Sequence, residues 1–103
     1  LRCMNSFRRT SEFDAWLKAL RDPVGKARIT ARIRSAEAGN FGDCEAVGQG
    51  VSEMRIHCGP GYRIYYARIG EIVYLLLCGG DKSTQSRDIK QEKSLLARLE
   101  GEI

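Results

Sequence analysis

Hydrophobic positions in the first third of the chain recur at helical spacing and predict two helices. The first apolar stripe comprises Phe13, Trp16, Leu17 and Leu20. Thr10-Ser11 offers N-caps before this stripe, so the first helix is predicted to run to about Arg21. Asp22-Pro23 both stops that helix and starts a second one, which is expected to reach Ala38 before Gly39-Asn40 ends it. The short connection between them predicts a helical hairpin.

Beyond residue 40 the pattern changes from helical to strand-like. Residues 51–58 and 62–69 alternate between apolar and polar side chains, which predicts two strands joined by a turn at Gly59-Pro60-Gly61. The first of these strands is expected to be half exposed. Residues 72–78 are apolar at nearly every position, which is typical of a central strand covered on both faces. Gly79-Gly80 is expected to let the backbone leave the sheet.

Weaker patterns at the two ends complete the predicted domain. A short alternation over Cys3 to Arg9 predicts an N-terminal strand, and Ile89, Leu96 and Leu99 predict a helix over Ser83 to Glu100. We therefore predict a single α+β domain over residues 1–103. In it, a helical hairpin and a C-terminal helix pack on a small, mainly antiparallel curved sheet.

Composition excludes several classes of protein. The chain has 103 residues, 43% of them hydrophobic and 29% charged, which is typical of one globular domain and excludes a large multidomain enzyme. Its longest apolar run is far shorter than the roughly 20 residues that cross a bilayer. No secretory signal is visible, so the cytoplasm is the expected compartment.

The cysteines and the single histidine argue against a metal centre or another cofactor. Four cysteines occur without a C-x-x-C pair, and His57 is the one histidine of the sequence. Metal binding is therefore not predicted, and no small-molecule cofactor is expected. In a reducing compartment the four thiols are expected to be free and mostly buried.

Basic residues are concentrated in the predicted hairpin. The chain carries 17 Lys and Arg against 13 Asp and Glu, a net charge of +4, and residues 1–39 hold nine of the basic residues against four acidic ones. Such an excess could attract nucleic acid by counterion release, with Arg28 and Arg32 as candidate contacts. On charge alone, a solvated basic helix face is the better explanation.

The alternating strands carry side chains that suit phosphodiester chemistry. Cleaving RNA without a metal needs a base for the 2′-OH proton, cations for the developing phosphorane charge and an acid for the leaving oxygen. Arg55 and His57 share one face of their strand, and Arg63 and Tyr65 return on the next. If the register places both pairs on one exposed face, they form a candidate catalytic surface. Tyr62 or Tyr65 could stack an unpaired base.

Each of these candidates also has a structural explanation. A lone strand histidine such as His57 is often merely solvated. Arg55 and Arg63 could pair with Glu53 and Glu71 on the sheet surface. Alternation must also turn at least one of the tyrosines into the core.

Two further cations follow the central strand. Lys82 comes directly after Gly79-Gly80 and Asp81, where a loop could bring its ammonium group to the same surface, and Arg87 follows on the predicted helix. An ordinary loop charge and an ordinary helix charge explain this pair equally well.

Five segments together resemble a known family over nearly the whole chain. They are T-S-E-F-D-A-W-L from Thr10, A-R-I-T-A-R-I-R from Ala27, G-N-F-G-D from Gly39, S-E-M-R-I-H-C-G-P-G-Y-R-I-Y-Y from Ser52, and L-L-L-C-G-G-D-K-S-T-Q-S-R-D-I from Leu75. The last two are the most specific. With them the chain resembles the RelE/ParE superfamily of bacterial type II toxins, and within it the HigB-like addiction-module killer proteins.

The resemblance implies a toxin that arrests growth when it is free of its antitoxin, most often by cutting mRNA in the ribosomal A site. Its expected partners are the ribosome, mRNA and a cognate antitoxin with a helix-turn-helix domain, which would mask the basic surface or displace the C-terminal helix. Arg55, Arg63, Lys82 and Arg87 are then candidates for phosphate binding, and His57 or Tyr65 for proton transfer or stacking. Two alternatives stay open: a gyrase poison that acts by protein binding, and a non-toxic basic RNA-binding module.

Overall fold

The structure is a computed structural model that describes residues 4–101. Within this range the chain forms an α+β domain with five strands and three α-helices. The elements in chain order are β1 (Ser6–Arg9), α1 (Ser11–Ala19), α2 (Pro23–Glu37), β2 (Cys44–Gly48), β3 (Val51–Ile56), β4 (Tyr62–Arg68), β5 (Val73–Asp81) and α3 (Gln85–Gly101). A 3₁₀ turn, Lys82–Thr84, joins β5 to α3. The predicted fold class is confirmed.

The sheet has the order β1-β5-β4-β3-β2. Strands β2 to β5 form an antiparallel meander, and β1 adds to the outer side of β5 in parallel, with Ser6 opposite Val73. The predicted meander had three strands and lacked β2. The predicted N-terminal strand is confirmed from Ser6, whereas Cys3 lies outside the described residues.

Side-chain caps begin both helices of the hairpin, as predicted. The Thr10 hydroxyl accepts a hydrogen bond from the Phe13 N–H at 2.9 Å, and the Asp22 carboxylate accepts one from the Gly25 N–H at 3.0 Å. Each cap satisfies a backbone donor that the first turn of a helix leaves free. The hairpin is therefore fixed at the start of both of its helices.

Helices cover both faces of the sheet, so the domain has two apolar cores. The α1–α2 hairpin packs on one face against Met54, Ile56, Ile64, Tyr66 and Leu76. Helix α3 packs on the other face through Leu95 and Leu96, against Val51, Tyr65, Ala67 and Leu77. No helix among residues 4–101 is both long enough and apolar enough to cross a membrane.

The second core overturns the prediction that β3 is half exposed. Glu53 is fully buried because α3 lies over it. The Gln85 side-chain amide donates hydrogen bonds to both Glu53 carboxylate oxygens, at 2.9 and 3.0 Å. The alternation of β3 was predicted correctly, but on its polar face Glu53 lies in the interior and Arg55 is half-buried.

The prediction that Gly79-Gly80 releases the chain from the sheet is also wrong. Both glycines lie within β5, opposite Ile64 and Arg63 of β4. A Cβ atom at Gly79 would lie 2.3 Å from the Trp16 ring, and one at Gly80 would lie 2.0 Å from a carboxylate oxygen of Asp88. Glycine is needed at both positions because the helices press against the strand from both sides.

The cysteines are less buried than predicted. Cys44, Cys58 and Cys78 are free thiols, as expected, but Cys44 is exposed and the other two are half-buried. Cys3 lies outside the described residues.

Candidate functional site

The turn between β3 and β4 is held by backbone hydrogen bonds and by two glycines with positive φ. Gly59 and Gly61 have φ angles of 55° and 81°, a region that side chains with a Cβ rarely enter. The Gly61 N–H donates to the Cys58 carbonyl at 3.0 Å, and the Lys82 N–H donates to the Gly61 carbonyl at 2.9 Å. The last bond ties the end of β5 to the turn and brings Lys82 beside it.

Around this turn lies an open depression of about 370 Å³ whose rim is cationic. We call it the turn depression. It is lined by residues 57–61 together with Arg63 and Lys82. Three of the candidate residues, His57, Arg63 and Lys82, therefore meet at one surface although they are spread over 25 positions of sequence.

Arg63 is a buried guanidinium group without a carboxylate partner among the described residues. Its exposed fraction is 7%, and its Nη1 donates to the carbonyls of Gly61 and Tyr62 at 3.2 and 3.3 Å. Its buried Nε has no hydrogen-bond partner within residues 4–101. A guanidinium group has five N–H donors, so the residues of this structure leave part of its binding capacity unused. Pairing with Glu71, the alternative for Arg63, does not occur.

His57 is exposed and is oriented by a carboxylate. Its side chain is 71% exposed, and its Nε2 lies 2.7 Å from an oxygen of Asp43. This hydrogen bond, helped by the charge of Arg55, lowers the pKa of Asp43 below its usual range. Because an ionised carboxylate only accepts hydrogen bonds, we assign the proton to Nε2, which leaves Nδ1 as an acceptor in the neutral ring.

Arg55 is neutralised by acidic side chains, which contradicts its predicted role in phosphate binding. It stands directly opposite Arg63 in the β3–β4 register. Its guanidinium group donates to Glu53 at 2.8 Å and to Glu45, and it lies 3.6 Å from Asp43. Glu53 and then Glu45 hold the pKa of Arg55 above its ordinary value. Its pairing with Glu53, the structural alternative, is confirmed.

Arg32 holds a loop together and also lines a second depression, which it shares with Arg28 and His57, so its role in binding RNA stays a prediction. Its guanidinium group donates to the backbone carbonyls of Arg55, Phe41 and Asp43, at 2.5, 2.7 and 3.1 Å. These bonds fix the loop that carries Asp43, the partner of His57. Arg32 therefore acts on the site through another residue.

Arg28 and Arg87 are exposed, and they differ in position. Arg28 of α2 lines the second depression, of about 320 Å³, which it shares with His57. Arg87 lies on the first turn of α3, 3.9 Å from Asp88, and does not line the turn depression. The structure therefore places Arg28 next to the candidate site and Arg87 outside it.

Both tyrosines proposed for RNA contact are enclosed. Tyr65 is fully buried in the α3 core, and its hydroxyl has no hydrogen-bond partner in the described part of the chain. Burial, followed by the charge of Glu53, raises the pKa of Tyr65. Tyr62 is 5% exposed and donates its hydroxyl proton to Asp22 at 2.7 Å, which together with burial raises its pKa to about 12. Neither ring offers a free face. The predictions that Tyr65 takes part in catalysis and that Tyr62 stacks on a base are therefore wrong.

Comparison with known proteins identifies a relative. No family model matches the chain. A protein of Haemophilus influenzae, named as an uncharacterized protein, is 49% identical over 90 residues, which cover 87% of this chain and 91% of that protein. The chain belongs to the same family as this Haemophilus protein. Because the alignment covers nearly all of both chains, the family shares the whole domain, and its function must be argued from the site.

In this member of the family, the turn depression brings together cationic side chains, which suit an anion, and an imidazole with a free acceptor nitrogen. Arg63 and Lys82 provide positive charge, and His57 provides an imidazole fixed by Asp43. Among residues 4–101 no cluster of His, Cys, Asp and Glu is arranged to hold a metal ion. The arrangement suits a bound phosphate group whose neighbouring hydroxyl is deprotonated.

Asp43 and Asp22 are the site residues that sequence reasoning missed. Asp43 orients His57, and Asp22 joins the start of α2 to Tyr62 next to the turn. The role of Asp22 was indicated by its position as an N-cap, because the capping carboxylate uses one oxygen for the helix and leaves the other to accept a hydrogen bond. Asp43 lies 14 positions from His57 in a loop, and nothing in the alternation indicates that they meet.

Proposed function

We propose that the chain is the toxin of a type II toxin-antitoxin module of the RelE/ParE superfamily, in its HigB-like branch. Its activity would be ribosome-dependent cleavage of mRNA without a metal ion. The observation that carries the proposal is the meeting of His57, Arg63 and Lys82 around the turn depression. The motif resemblance over the same residues, S-E-M-R-I-H-C-G-P-G-Y-R and L-C-G-G-D-K, supports it.

The proposed reaction is attack by a ribose 2′-oxygen on the adjacent phosphorus. His57 accepts the 2′-OH proton at Nδ1, the new O–P bond forms, and the bond from phosphorus to the 5′-oxygen breaks. Arg63 and Lys82 stabilise the charge that develops on the phosphorane oxygens. The leaving 5′-oxygen takes a proton from Lys82 or from the imidazolium, and the products are a 2′,3′-cyclic phosphate and a 5′-hydroxyl end.

The charge distribution supports a polyanionic partner. The basic helical hairpin would attract ribosomal RNA, and Arg28 lies beside His57, where a neighbouring phosphate of the mRNA would pass. The proposal places the toxin in the cytoplasm, with the ribosome and mRNA. A cognate helix-turn-helix antitoxin would neutralise it by covering the turn depression.

The direct test is induced expression in a bacterial host with mapping of RNA 5′ ends. The wild-type chain is expected to stop growth and to leave new 5′-hydroxyl ends within codons. Lys82→Ala should remove most of these ends, whereas Lys90→Ala, which removes an exposed lysine of α3 outside the depression, should keep them.

Two results would contradict the proposal. Arrested growth with intact transcripts and DNA-damage signalling would favour the gyrase-poison alternative, particularly if Arg63→Ala and Lys82→Ala leave toxicity unchanged. Survival of cells that express the folded chain would favour the non-toxic RNA-binding alternative.

A further inference from the structure

A second concave surface, separate from the turn depression, lies where α1 and α3 meet beside β5. This groove has a volume of about 360 Å³. Its lining includes Glu12 of α1, Cys78 of β5, and Glu92, Ser94, Leu95 and Arg98 of α3. It shares no lining residue with the turn depression, and its carboxylates would repel a phosphate backbone. We call it the α1–α3 groove.

One acidic side chain of the groove lacks a partner. Glu92 is only 4% exposed and its carboxyl group opens into the groove, yet it accepts no hydrogen bond from another described residue and forms no ion pair with one. Arg98 does not serve it, because the Arg98 guanidinium group binds Glu12 at 3.1 Å. A buried carboxylate without a partner is costly, so an ionised Glu92 is a strong acceptor for a cationic donor.

The surroundings of Glu92 explain how it stays in the fold. Glu12 faces it from α1, Cys78 faces it from β5, and Asp88 and Arg98 lie on its own helix. Burial, followed by the charges of Asp88 and Glu12, raises the pKa of Glu92 to about 7. Near neutral pH a bound cation would therefore hold this carboxyl in its charged form.

The rest of the lining matches an aliphatic stem with one charged end. Leu95 and the half-buried Cys78 provide an apolar wall beside the carboxyl group. We propose that the α1–α3 groove binds an arginine side chain of a partner protein, with its guanidinium group on Glu92 and its stem against Leu95 and Cys78. This interaction does not depend on the proposed RNA chemistry.

Charge balance favours a protein side chain over a free amino acid. Within the part of the chain that the structure describes, Glu12 and Arg98 neutralise each other, so the groove has one unpaired charge, that of Glu92. A free amino acid would bring two more charges for which the groove has no separate partners. A side chain on a polypeptide brings one.

The test is a titration of the full isotope-labelled chain with N-acetyl-L-arginine amide at pH 8, followed by NMR. We expect saturable shifts of the Glu92 carboxyl carbon and of the amides of Glu12, Cys78 and Ser94, with a dissociation constant on the order of 1 mM. N-acetyl-citrulline amide, which has the same stem but no charge, is the matched probe and should bind at least 10-fold more weakly. Equal shifts with both probes, or no shifts, would overturn the proposal.

Variants and a second ligand separate this site from others. Glu92→Gln should weaken binding at least 10-fold, and Glu100→Gln, an exposed glutamate of the same helix outside the groove, should not. Arg98→Ala leaves Glu12 unpaired and should tighten binding at least 3-fold, which keeps the test informative if Glu92→Gln does not fold. Free L-arginine binding more than 10-fold tighter than the capped form would overturn the assignment to a protein partner.

Discussion

The turn depression and the α3-covered face of the sheet use charge in opposite ways. At the turn, Arg63 and Lys82 have no acidic partner among the described residues, and both line an open depression, although Lys82 is exposed and Arg63 is mostly buried. Under α3, Glu53 is closed over by a helix and paired with Arg55. Arg55 and Arg63 lie directly opposite each other on the neighbouring strands β3 and β4. The arginine of β3 stabilises the fold, whereas the arginine of β4 is available to a ligand.

The largest effect is expected from Arg63→Ala, which tests whether the turn depression uses its arginine to bind a ligand. Ribosome-dependent cleavage of a defined mRNA should fall about 100- to 1,000-fold, because the variant loses charge stabilisation in the transition state. Its free energy of unfolding should fall by about 1 to 2 kcal/mol, less than for Arg55→Ala, because Arg63 loses two hydrogen bonds to backbone carbonyls but no ion pair with a described residue. Arg8→Ala, an exposed β1 variant, is the control and should cleave normally. If Arg63→Ala lost as much stability as Arg55→Ala, Arg63 would also be a residue that stabilises the fold, and the proposed difference between the two arginines would be wrong.

Arg55→Ala should show the reverse pattern. Removing this guanidinium group leaves the buried Glu53 with only Gln85, and the free energy of unfolding should fall by about 3 kcal/mol. Urea denaturation at pH 7 measures it. The double variant Arg55→Ala, Glu53→Gln should regain much of the loss, because the buried charge is then gone. If cleavage by the folded Arg55→Ala chain dropped as steeply as with Arg63→Ala, Arg55 would belong to the site after all.

Glu92→Gln tests whether the buried carboxyl group on α3 lowers the stability of the domain. The pKa of Glu92 in the folded chain, about 7, lies above its ordinary value of 4.5. As pH rises from about 4.5 to 7, the unfolded chain loses this proton before the folded chain does, so wild-type stability falls over that window. The variant should therefore match the wild type at pH 4 and be about 2 kcal/mol more stable at pH 8. Denaturation curves at both pH values measure it, and a gain at pH 4 would point to packing instead.

The smallest effect is expected from Tyr65→Phe. The Tyr65 hydroxyl is buried and has no hydrogen-bond partner among the described residues, so its removal should leave stability unchanged or raise it by up to about 1 kcal/mol. Cleavage should stay within about 2-fold of wild type. A strong loss of cleavage in this folded variant would restore the tyrosine to the catalytic set.

Local patterns predicted the helices and most of the strands. Thr10 and Asp22 were recognised as caps because capping depends on neighbours three positions away. Strand β2 was missed because its residues are mostly exposed and carry no apolar face, and it exists through its pairing with β3. The glycines of β5 were misread because their reason lies in Trp16 and Asp88, which the fold brings against them.

The site was predictable as a set of residue types but not as a set of partners. The sequence left open whether Arg55 and Arg63 share one face of the sheet, and the β3–β4 register shows that they do. Which of the two arginines meets carboxylates depends on β2 and on the loop before it, which bring Glu45 and Asp43 to Arg55. The packing of α3 enclosed Tyr65, whose alternation looked like that of an exposed residue.

The parallel pairing of β1 with β5 also determines the order in which a newly made chain can fold. Ser6 leaves the ribosome first, but its partner Val73 is synthesised 67 residues later, so β1 must wait while the hairpins β2–β3 and β3–β4 close over short loops. Lys82 and α3 are made later still. The cationic surface is therefore completed only after Lys82 has been made, and a chain that stops before β5 lacks both that strand and the candidate site.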